Sequence, residues 1–180
     1  MKRTVVTFML AIALLFSSIG IVTSPVQASA KKCADVLSKM TDPLALRMEA
    51  GEKVIWKNVD PKLISAKDKY IRLIRDKGWR INIDSAYRPY EYQRHLYEIV
   101  QNPTICKDEK LKHGLGTEVA KPSKDSPHTA GKAFDATVYD KNGQPLNGHK
   151  FVKKELIEVA KQAGLSFPMI QKDGVHHTLL

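Results

Sequence analysis

The feature that most constrains this chain is a short polar segment, Ser126 to Asp135, considered together with a histidine near the end of the sequence. The segment contains His128 and Asp135, and the later histidine is either His176 or its neighbour His177. Two imidazoles and one carboxylate are the mixed nitrogen and oxygen ligands that Zn²⁺ takes when three protein groups leave a fourth position open. An open position is typical of catalysis, usually hydrolysis. The sequence therefore predicts a zinc site held by His128, Asp135 and one of these two histidines.

The spacing inside the segment predicts its local geometry. Residues 133–139 form a predicted strand, in which successive side chains point to opposite faces, so Asp135 lies opposite the face that carries Phe134. His128 is seven residues before Asp135, and this odd offset would put it on the wrong face of a straight strand. The chain must therefore turn between the two residues, and Gly131 permits that turn.

The remaining patterns predict an α+β domain. Apolar periodicity and boundary residues predict three helices, which begin at Asp60-Pro61, at Pro89 and at Phe151 and end at Gly78, at Asn102 and at Gly164. Alternating or short apolar segments predict strands at 79–84, 133–139, 165–170 and 175–180, with turns at 140–143 and 171–174. Residues 104–127 are polar and predict a long loop that borders the site. We expect a small, mainly antiparallel sheet flanked by about three helices, with the zinc site on the sheet.

Residues 1–30 have the features of a secretory signal peptide. Lys2 and Arg3 precede an apolar run from Phe8 to Ile21, and Ala28 to Ala30 supply a small-residue cleavage signal. The run is shorter than the roughly 20 residues that a membrane-spanning helix needs, although a retained anchor is the alternative interpretation. We expect a mature domain of residues 31–180 that is secreted or associated with the cell wall and no longer attached to the membrane.

The charge of the chain limits its partners. The formal net charge is +10, and removal of Lys2 and Arg3 lowers it by two to +8. The basic residues are scattered rather than clustered with aromatic residues, which argues against nucleic-acid binding. We expect a monomer whose basic surface either attracts anionic wall polymers or is merely solvated.

The two cysteines, Cys33 and Cys106, are the only ones in the chain. In an oxidising compartment a disulfide between them could tie the mature N-terminus to the predicted loop. Two unpaired thiols are the alternative.

The two polar segments together resemble the D-alanyl-D-alanine carboxypeptidase family of zinc peptidases. The family pattern S-x-H-x-x-G-x-A-x-D is matched by five residues, which are Ser126, His128, Gly131, Ala133 and Asp135. The resemblance covers roughly residues 78–180, while residues 31–77 match no pattern that we can name. It implies hydrolysis of peptide bonds in peptidoglycan stem peptides, which contain D-amino acids.

The resemblance also implies which histidine near the C-terminus is the ligand. In the family this ligand follows an acidic residue by three positions, which selects His176 with Asp173. His177 would then lie on the outer face or form a hydrogen bond behind the ligands. Asp173 is the implied general base toward the attacking water, and a turn residue before Gly174 is the alternative. The larger branch of the family has Glu here and usually Trp before the histidine. An Asp at this position is similar to the L-alanyl-D-glutamate endopeptidases of phages and bacilli, and Val175 stands where the Trp would be.

A further resemblance concerns the segment from Ser85 to Arg88, which is similar to the S-x-Y-R segment whose arginine meets the substrate in the family. A guanidinium group can pair with a peptide carboxylate or stabilise the oxyanion formed at the scissile carbonyl. The alternative is a surface arginine at a helix start, where its charge opposes the helix dipole. His95, His113 and His149 match no position of the pattern and are expected to be ordinary polar residues.

Three functions are consistent with the sequence. The first is a secreted zinc metallopeptidase, and recognition of a free terminal carboxylate by Arg88 would make it a carboxypeptidase or dipeptidase, whereas an open groove would make it an endopeptidase. The second is a noncatalytic zinc-containing module that binds the wall, and Asp173 argues against it. The third is a basic wall-binding protein without metal, against which the ligand set argues.

Overall fold

The computed structural model describes residues 31–180, so the predicted signal peptide lies outside the described residues. A 3₁₀ helix, Cys33–Asp35, opens this part of the chain. The α-helices are α1 Pro43–Glu49, α2 Pro61–Asp76, α3 Tyr90–Gln101, α4 Lys107–Lys112, α5 Lys154–Ala163 and α6 Ile170–Asp173. The strands are β1 Arg80–Ser85, β2 Ala133–Tyr139, β3 Asn147–Gly148, β4 Phe151–Val152, β5 Leu165–Ser166 and β6 His176–Leu179. Within residues 31–180, no helix is both long and apolar enough to cross a membrane.

The main sheet has four antiparallel strands in the order β1-β2-β6-β5, and β3 pairs with β4 in a separate hairpin. The register of the main sheet places Ser85 of β1 opposite Asp135 of β2, and Asp135 opposite His176 of β6. A bulge between Ile83 and Ser85 shifts the β1 register at this end. Three polar residues therefore lie side by side across three strands. The combination of α-helices with an antiparallel sheet confirms the predicted α+β class.

The hydrophobic core lies on one face of this sheet. Phe134, Ala136 and Val138 of β2 are fully buried there, as the predicted alternation required. They form one cluster with buried residues of α2 and α5, including Tyr70 and Leu156. Asp60 accepts a hydrogen bond from Lys62 N, and this cap with Pro61 at the first helical position begins α2 as predicted. The core thus fixes the strands whose other face carries Asp135.

A smaller core joins α1 to α3. Leu44, Met48 and Ile55 are buried together, with Tyr87 and Tyr92 packed against them. A disulfide connects Cys33 with Cys106, the residue before α4. Residues 31–50, which match no pattern in the sequence, are therefore fastened to α3 by apolar packing and to the start of α4 by a covalent bond.

Several predicted boundaries are wrong. The predicted loop 104–127 contains α4, a helix without buried residues and therefore without apolar periodicity. The predicted strand 165–170 ends at Ser166, and the predicted turn after it is α6. The predicted third helix begins at Lys154 because Phe151 and Val152 pair with β3. The structure therefore contains α1, α4 and α6 in addition to the three predicted helices.

Candidate functional site

The structure brings His128, Asp135 and His176 together, and we refer to these residues as the triad. His128 Nε2 lies 3.2 Å from Asp135 Oδ1, and His176 Nδ1 lies 3.1 Å from the same oxygen. The two ring nitrogens are 3.1 Å apart. The sheet register supplies the pairing of Asp135 with His176, while His128 arrives from the loop before β2.

The loop that carries His128 turns at Gly131, as the odd spacing requires. Gly131 has a φ of 69°, in the left-handed region that favours glycine. A Cβ at this position would lie 2.1 Å from the backbone oxygen of Asn58, so the two backbone segments lie too close together for any side chain. Asp60 N donates to Gly131 O over 2.9 Å, which fastens the turn to the start of α2.

Groups behind the triad orient two of its members. His128 Nδ1 lies 2.7 Å from Ala86 O, an atom that can only accept, so Nδ1 carries the proton and Nε2 presents its lone pair. Ser85 Oγ donates to Asp135 Oδ2 over 2.7 Å, which leaves Oδ1 for the two histidines. Burial opposes ionisation of Asp135, but the close contacts of its carboxyl with His128, His176 and Ser85 outweigh it and hold the pKa of this carboxyl well below its usual range. Asp135 is therefore a carboxylate.

This donor set fits a divalent cation. His128 Nε2 and Asp135 Oδ1 are both acceptors in this tautomer, so their close approach is unfavourable without a positive charge between them. Four ligands about 2.0 to 2.1 Å from a tetrahedral Zn²⁺ lie roughly 3.3 to 3.4 Å from one another. The three separations in the triad, 3.1, 3.1 and 3.2 Å, approach that value. Two imidazole nitrogens and one carboxylate oxygen are the chemistry that suits Zn²⁺.

The neighbouring histidine, His177, lies in the core instead of on the outer face. Its ring stacks on Phe134 with centroids 4.7 Å apart, and Tyr70 Oη lies 3.4 Å from its Nε2. Burial lowers the pKa of His177 to about 4, so the ring is neutral near pH 7. His176 is the histidine that reaches the triad, and its own Nε2 is buried without a hydrogen-bond partner among the described residues.

Arg88 lies beside the triad. Its backbone N donates to His128 O over 3.2 Å, and Nη1 of its side chain donates to Gln93 Oε1 over 3.1 Å. Gln93 in turn donates to Ala120 O over 2.6 Å, so the guanidinium is connected to the loop after α4. Ser85 and Arg88 both line a cavity of about 340 Å³. Arg88 is thus held at a cavity wall.

Asp173 is the last residue of α6, three residues before His176. It is not among the residues whose ligand atoms cluster, and its Oδ1 is buried without a hydrogen-bond partner within residues 31–180. His149 Nδ1 lies 3.9 Å from that oxygen. Gly174 holds the turn against the β3–β4 hairpin, because a Cβ there would lie 2.5 Å from the backbone oxygens of Gly148 and Phe151. The position of Asp173 is therefore set by close backbone packing.

A second cluster, which the sequence did not predict, consists of Glu49, His95 and His113 and is called the Glu49 cluster below. Glu49 Oε2 lies 3.1 Å from His95 Nε2 and 3.3 Å from His113 Nε2. Burial, opposed by the Glu49 carboxylate, lowers the pKa of His95. His95 and His113 match no pattern in the sequence, and the structure places both beside Glu49. The sequence offered one signal, the position of His95 on the apolar face of α3. No metal-binding spacing connects the three residues.

Comparison with known proteins identifies the family. The family model described as VanY, D-alanyl-D-alanine carboxypeptidase, matches residues 57–177, which is more than half of the chain. The chain belongs to the D-alanyl-D-alanine carboxypeptidase family, and it is a hydrolase of the peptidoglycan peptidase kind. A search of curated proteins gave no significant match.

Two solved structures are similar to the chain. One is the L-Ala D-Glu endopeptidase ChiX of Serratia marcescens, with 14% identity, a TM-score of 0.40, and coverage of 73% of this chain and 93% of that one. The other is a mutant of the vancomycin-resistance D,D-pentapeptidase VanY from a VanB-type resistance cassette, in complex with Zn(II). It has 17% identity, a TM-score of 0.42, and coverage of 67% of this chain and 72% of that one. Similarity at this level assigns no function.

Proposed function

We propose that the mature chain, residues 31–180, is a secreted zinc metallopeptidase that hydrolyses peptide bonds in peptidoglycan stem peptides. The observation that carries the proposal is the convergence of the triad, whose three facing atoms lie within 3.2 Å of one another. His128, Asp135 and His176 hold one Zn²⁺ in this proposal. Membership of the family supports the peptidase activity.

The residues around the triad prepare it for this chemistry. When bound, Zn²⁺ polarises the scissile carbonyl and lowers the pKa of a coordinated water. Ser85 keeps Oδ2 of Asp135 occupied, so that Oδ1 faces the histidines. The carbonyl of Ala86 keeps His128 in the tautomer whose Nε2 is free to bind a cation. These contacts therefore hold the ligand atoms in position for the ion.

Asp173 is the proposed general base. Its side chain is 34% exposed, and no described residue forms a hydrogen bond with its Oδ1, so the carboxylate has no competing partner of that kind at this oxygen. Asp173 takes a proton from the attacking water and delivers it to the leaving amine. The close packing of Gly174 supports this role, because it fixes the backbone next to the carboxylate.

Arg88 is the proposed substrate-binding residue. Its hydrogen bond to Gln93 orients the guanidinium at the cavity wall. From there it pairs with a substrate carboxylate or stabilises the oxyanion, in both cases through its planar fork. The first role corresponds to a carboxypeptidase and the second is compatible with an endopeptidase.

The second candidate activity is that of an L-alanyl-D-glutamate endopeptidase. Two residues favour it, because Asp173 replaces the Glu of the larger branch and Val175 replaces the usual Trp. In either case we propose that the chain acts as a monomer in the cell wall. The charge of +8 that remains after removal of residues 1–30 supports attraction to anionic wall polymers.

The test is digestion of defined stem peptides by the purified mature chain, with products identified by mass spectrometry. We expect hydrolysis that a chelator abolishes and added Zn²⁺ restores. Release of D-alanine would identify a carboxypeptidase, and cleavage between L-alanine and D-glutamate would identify the endopeptidase. A zinc-loaded chain that binds stem peptides and cleaves none of them would contradict the proposal in favour of the noncatalytic module.

A further inference from the structure

The Glu49 cluster joins three helical segments that are distant in sequence. Glu49 ends α1, His95 lies within α3, and His113 is the residue after α4. Their facing atoms are Glu49 Oε2 and the Nε2 atoms of the two histidines, separated by 3.1 and 3.3 Å from the oxygen. These separations resemble those in the triad, although the two clusters share no residue.

The facing atoms of the cluster are buried and unsatisfied. The side chains of His95 and His113 are 9% and 7% exposed. Among residues 31–180, neither Nε2 atom nor Glu49 Oε2 has a hydrogen-bond partner of acceptable geometry. Buried polar atoms are normally satisfied, so three unsatisfied atoms that point at one place indicate a missing partner.

The surrounding contacts make these atoms suitable as ligands. Lys112 Nζ pairs with the other carboxylate oxygen of Glu49, Oε1, which leaves Oε2 free. Tyr92 Oη lies 3.4 Å from His113 Nδ1, and acceptance of the Nδ1 proton by this hydroxyl leaves the Nε2 lone pair facing the carboxylate. Acceptor atoms that face one another repel, and a cation bound between them removes this repulsion.

We propose that the Glu49 cluster is a second metal site, which binds Zn²⁺ through Glu49, His95 and His113. Two imidazoles and a carboxylate favour Zn²⁺, whereas Ca²⁺ and Mg²⁺ prefer oxygen ligands alone. A further carboxylate is near, because Glu109 Oε2 lies 3.7 Å from His113 Nε2. The ion fastens α1 and α4 to α3, the same region that the Cys33–Cys106 disulfide closes.

This second ion has a structural role beside the substrate cavity. Glu49 and His113 line the cavity that Arg88 also lines. An ion at the Glu49 cluster therefore fixes part of the wall of this cavity without taking part in the chemistry at the triad. The proposal does not depend on the peptidase activity, because it concerns residues outside the triad.

The test counts zinc in the disulfide-intact mature chain, produced without a polyhistidine tag, stripped with chelator, reloaded with Zn²⁺ and freed of excess ion. We expect two equivalents in the parent and one in each of His113→Gln and Glu49→Gln. The matched control is His149→Gln, which removes a histidine side chain that is 86% exposed and should retain two equivalents. Two independent cluster variants keep the test decisive if one of them fails to fold.

The Asp135→Ala variant separates this proposal from the proposed function. It should retain one equivalent, and Zn²⁺ should raise its melting temperature by about 5 to 10 °C if the ion is supplied at roughly 100 times its Kd. The double variant with His113→Gln should show neither effect. A parent with one equivalent that Asp135→Ala removes and His113→Gln retains would overturn the second site. A parent with one equivalent that His113→Gln removes and Asp135→Ala retains would support the second site and overturn the triad as the zinc site.

Discussion

The triad and the Glu49 cluster use the same donor groups, two imidazoles and one carboxylate, but the fold assembles them differently. In the triad, two members are register partners on adjacent strands, and the third precedes a turn that only glycine allows. In the Glu49 cluster, each member belongs to a different helical segment, and a small apolar core and a disulfide hold those segments together. Strand register places Asp135 opposite His176, whereas the members of the Glu49 cluster meet only through the packing of separate helices. This difference is consistent with a catalytic role for the triad on the sheet and a structural role for the Glu49 cluster between the helices.

The largest effect on catalysis alone is expected from Asp173→Ala. This change removes the proposed base and leaves both clusters intact, so the rate should fall by about 10² to 10⁴ while the zinc count stays the same. The measurement is stem-peptide turnover together with metal content. Asp76→Ala, which removes an exposed acid from the end of α2, is the control and should be active. If Asp173→Ala hydrolyses stem peptides at the parent rate, Asp173 is a turn residue and not the general base.

The next effect is expected from Arg88→Lys. Lysine keeps the charge but lacks the planar fork, so kcat/KM should fall by about 10² or more, nearly as far as in Arg88→Ala. Arg72→Lys, on the exposed surface of α2, should behave as the parent does.

Amidation of the peptide terminus distinguishes the two roles of Arg88. If Arg88 pairs with a terminal carboxylate, amidation should weaken cleavage by the parent and change little in the variant. If Arg88 serves the oxyanion, amidation should matter little to either, and kcat should carry the loss. If Arg88→Ala cleaves every stem peptide with the kinetics of the parent, Arg88 has neither role and is a surface arginine.

A smaller effect is expected from Ser85→Ala. Asp135 Oδ2 would lose its hydrogen bond, and loss of a group that orients a ligand typically costs about 10- to 100-fold in metal affinity or activity. Equilibrium dialysis against a competing chelator, with both variants in the His113→Gln background, measures the affinity of the triad without an activity assay. Ser65→Ala, which removes a hydroxyl from α2, is the matched control. Equal affinity in both variants would show that the strand register alone positions Asp135.

The smallest effect on catalysis is expected from the double change Cys33→Ser and Cys106→Ser. The disulfide closes a sequence separation of 73 residues, for which chain entropy predicts a loss of up to about 4 kcal/mol in the free energy of unfolding. Denaturant unfolding measures this loss. Zinc should dissociate more readily from the Glu49 cluster, while kcat at low temperature stays near the parent value because the triad lies on the sheet. If zinc dissociated more readily from the triad than from the Glu49 cluster, the disulfide would support the triad and not the cluster.

The sequence predicts the parts of this molecule that short-range rules determine. The Asp60-Pro61 boundary and apolar periodicity predict α2, and alternation predicts the buried and polar faces of β2. The triad could be predicted because two of its members are seven residues apart around Gly131. The same rules miss α4, which buries no side chain and so leaves no periodic pattern.

The Glu49 cluster and the disulfide depend on long-range packing. His95 and His113 are 18 positions apart, and Glu49 is still more distant, so no spacing rule connects them. The pairing of Cys33 with Cys106 stayed open in the sequence for the same reason, and the structure places their Cα atoms 4.8 Å apart. Only the folded arrangement of α1, α3 and α4 brings these residues together.

The central claim is that the triad holds the catalytic zinc, and the most direct measurement is zinc content with stem-peptide turnover in a His113→Gln background. This background makes the count independent of the Glu49 cluster. We predict one equivalent for the background protein and for its His177→Gln derivative, whose changed residue lies in the core, and equal turnover by the two proteins. We predict no zinc and no turnover for the His176→Ala derivative. Stoichiometric zinc in the His176→Ala derivative, or hydrolysis at the parent rate by the metal-free protein, would contradict the account.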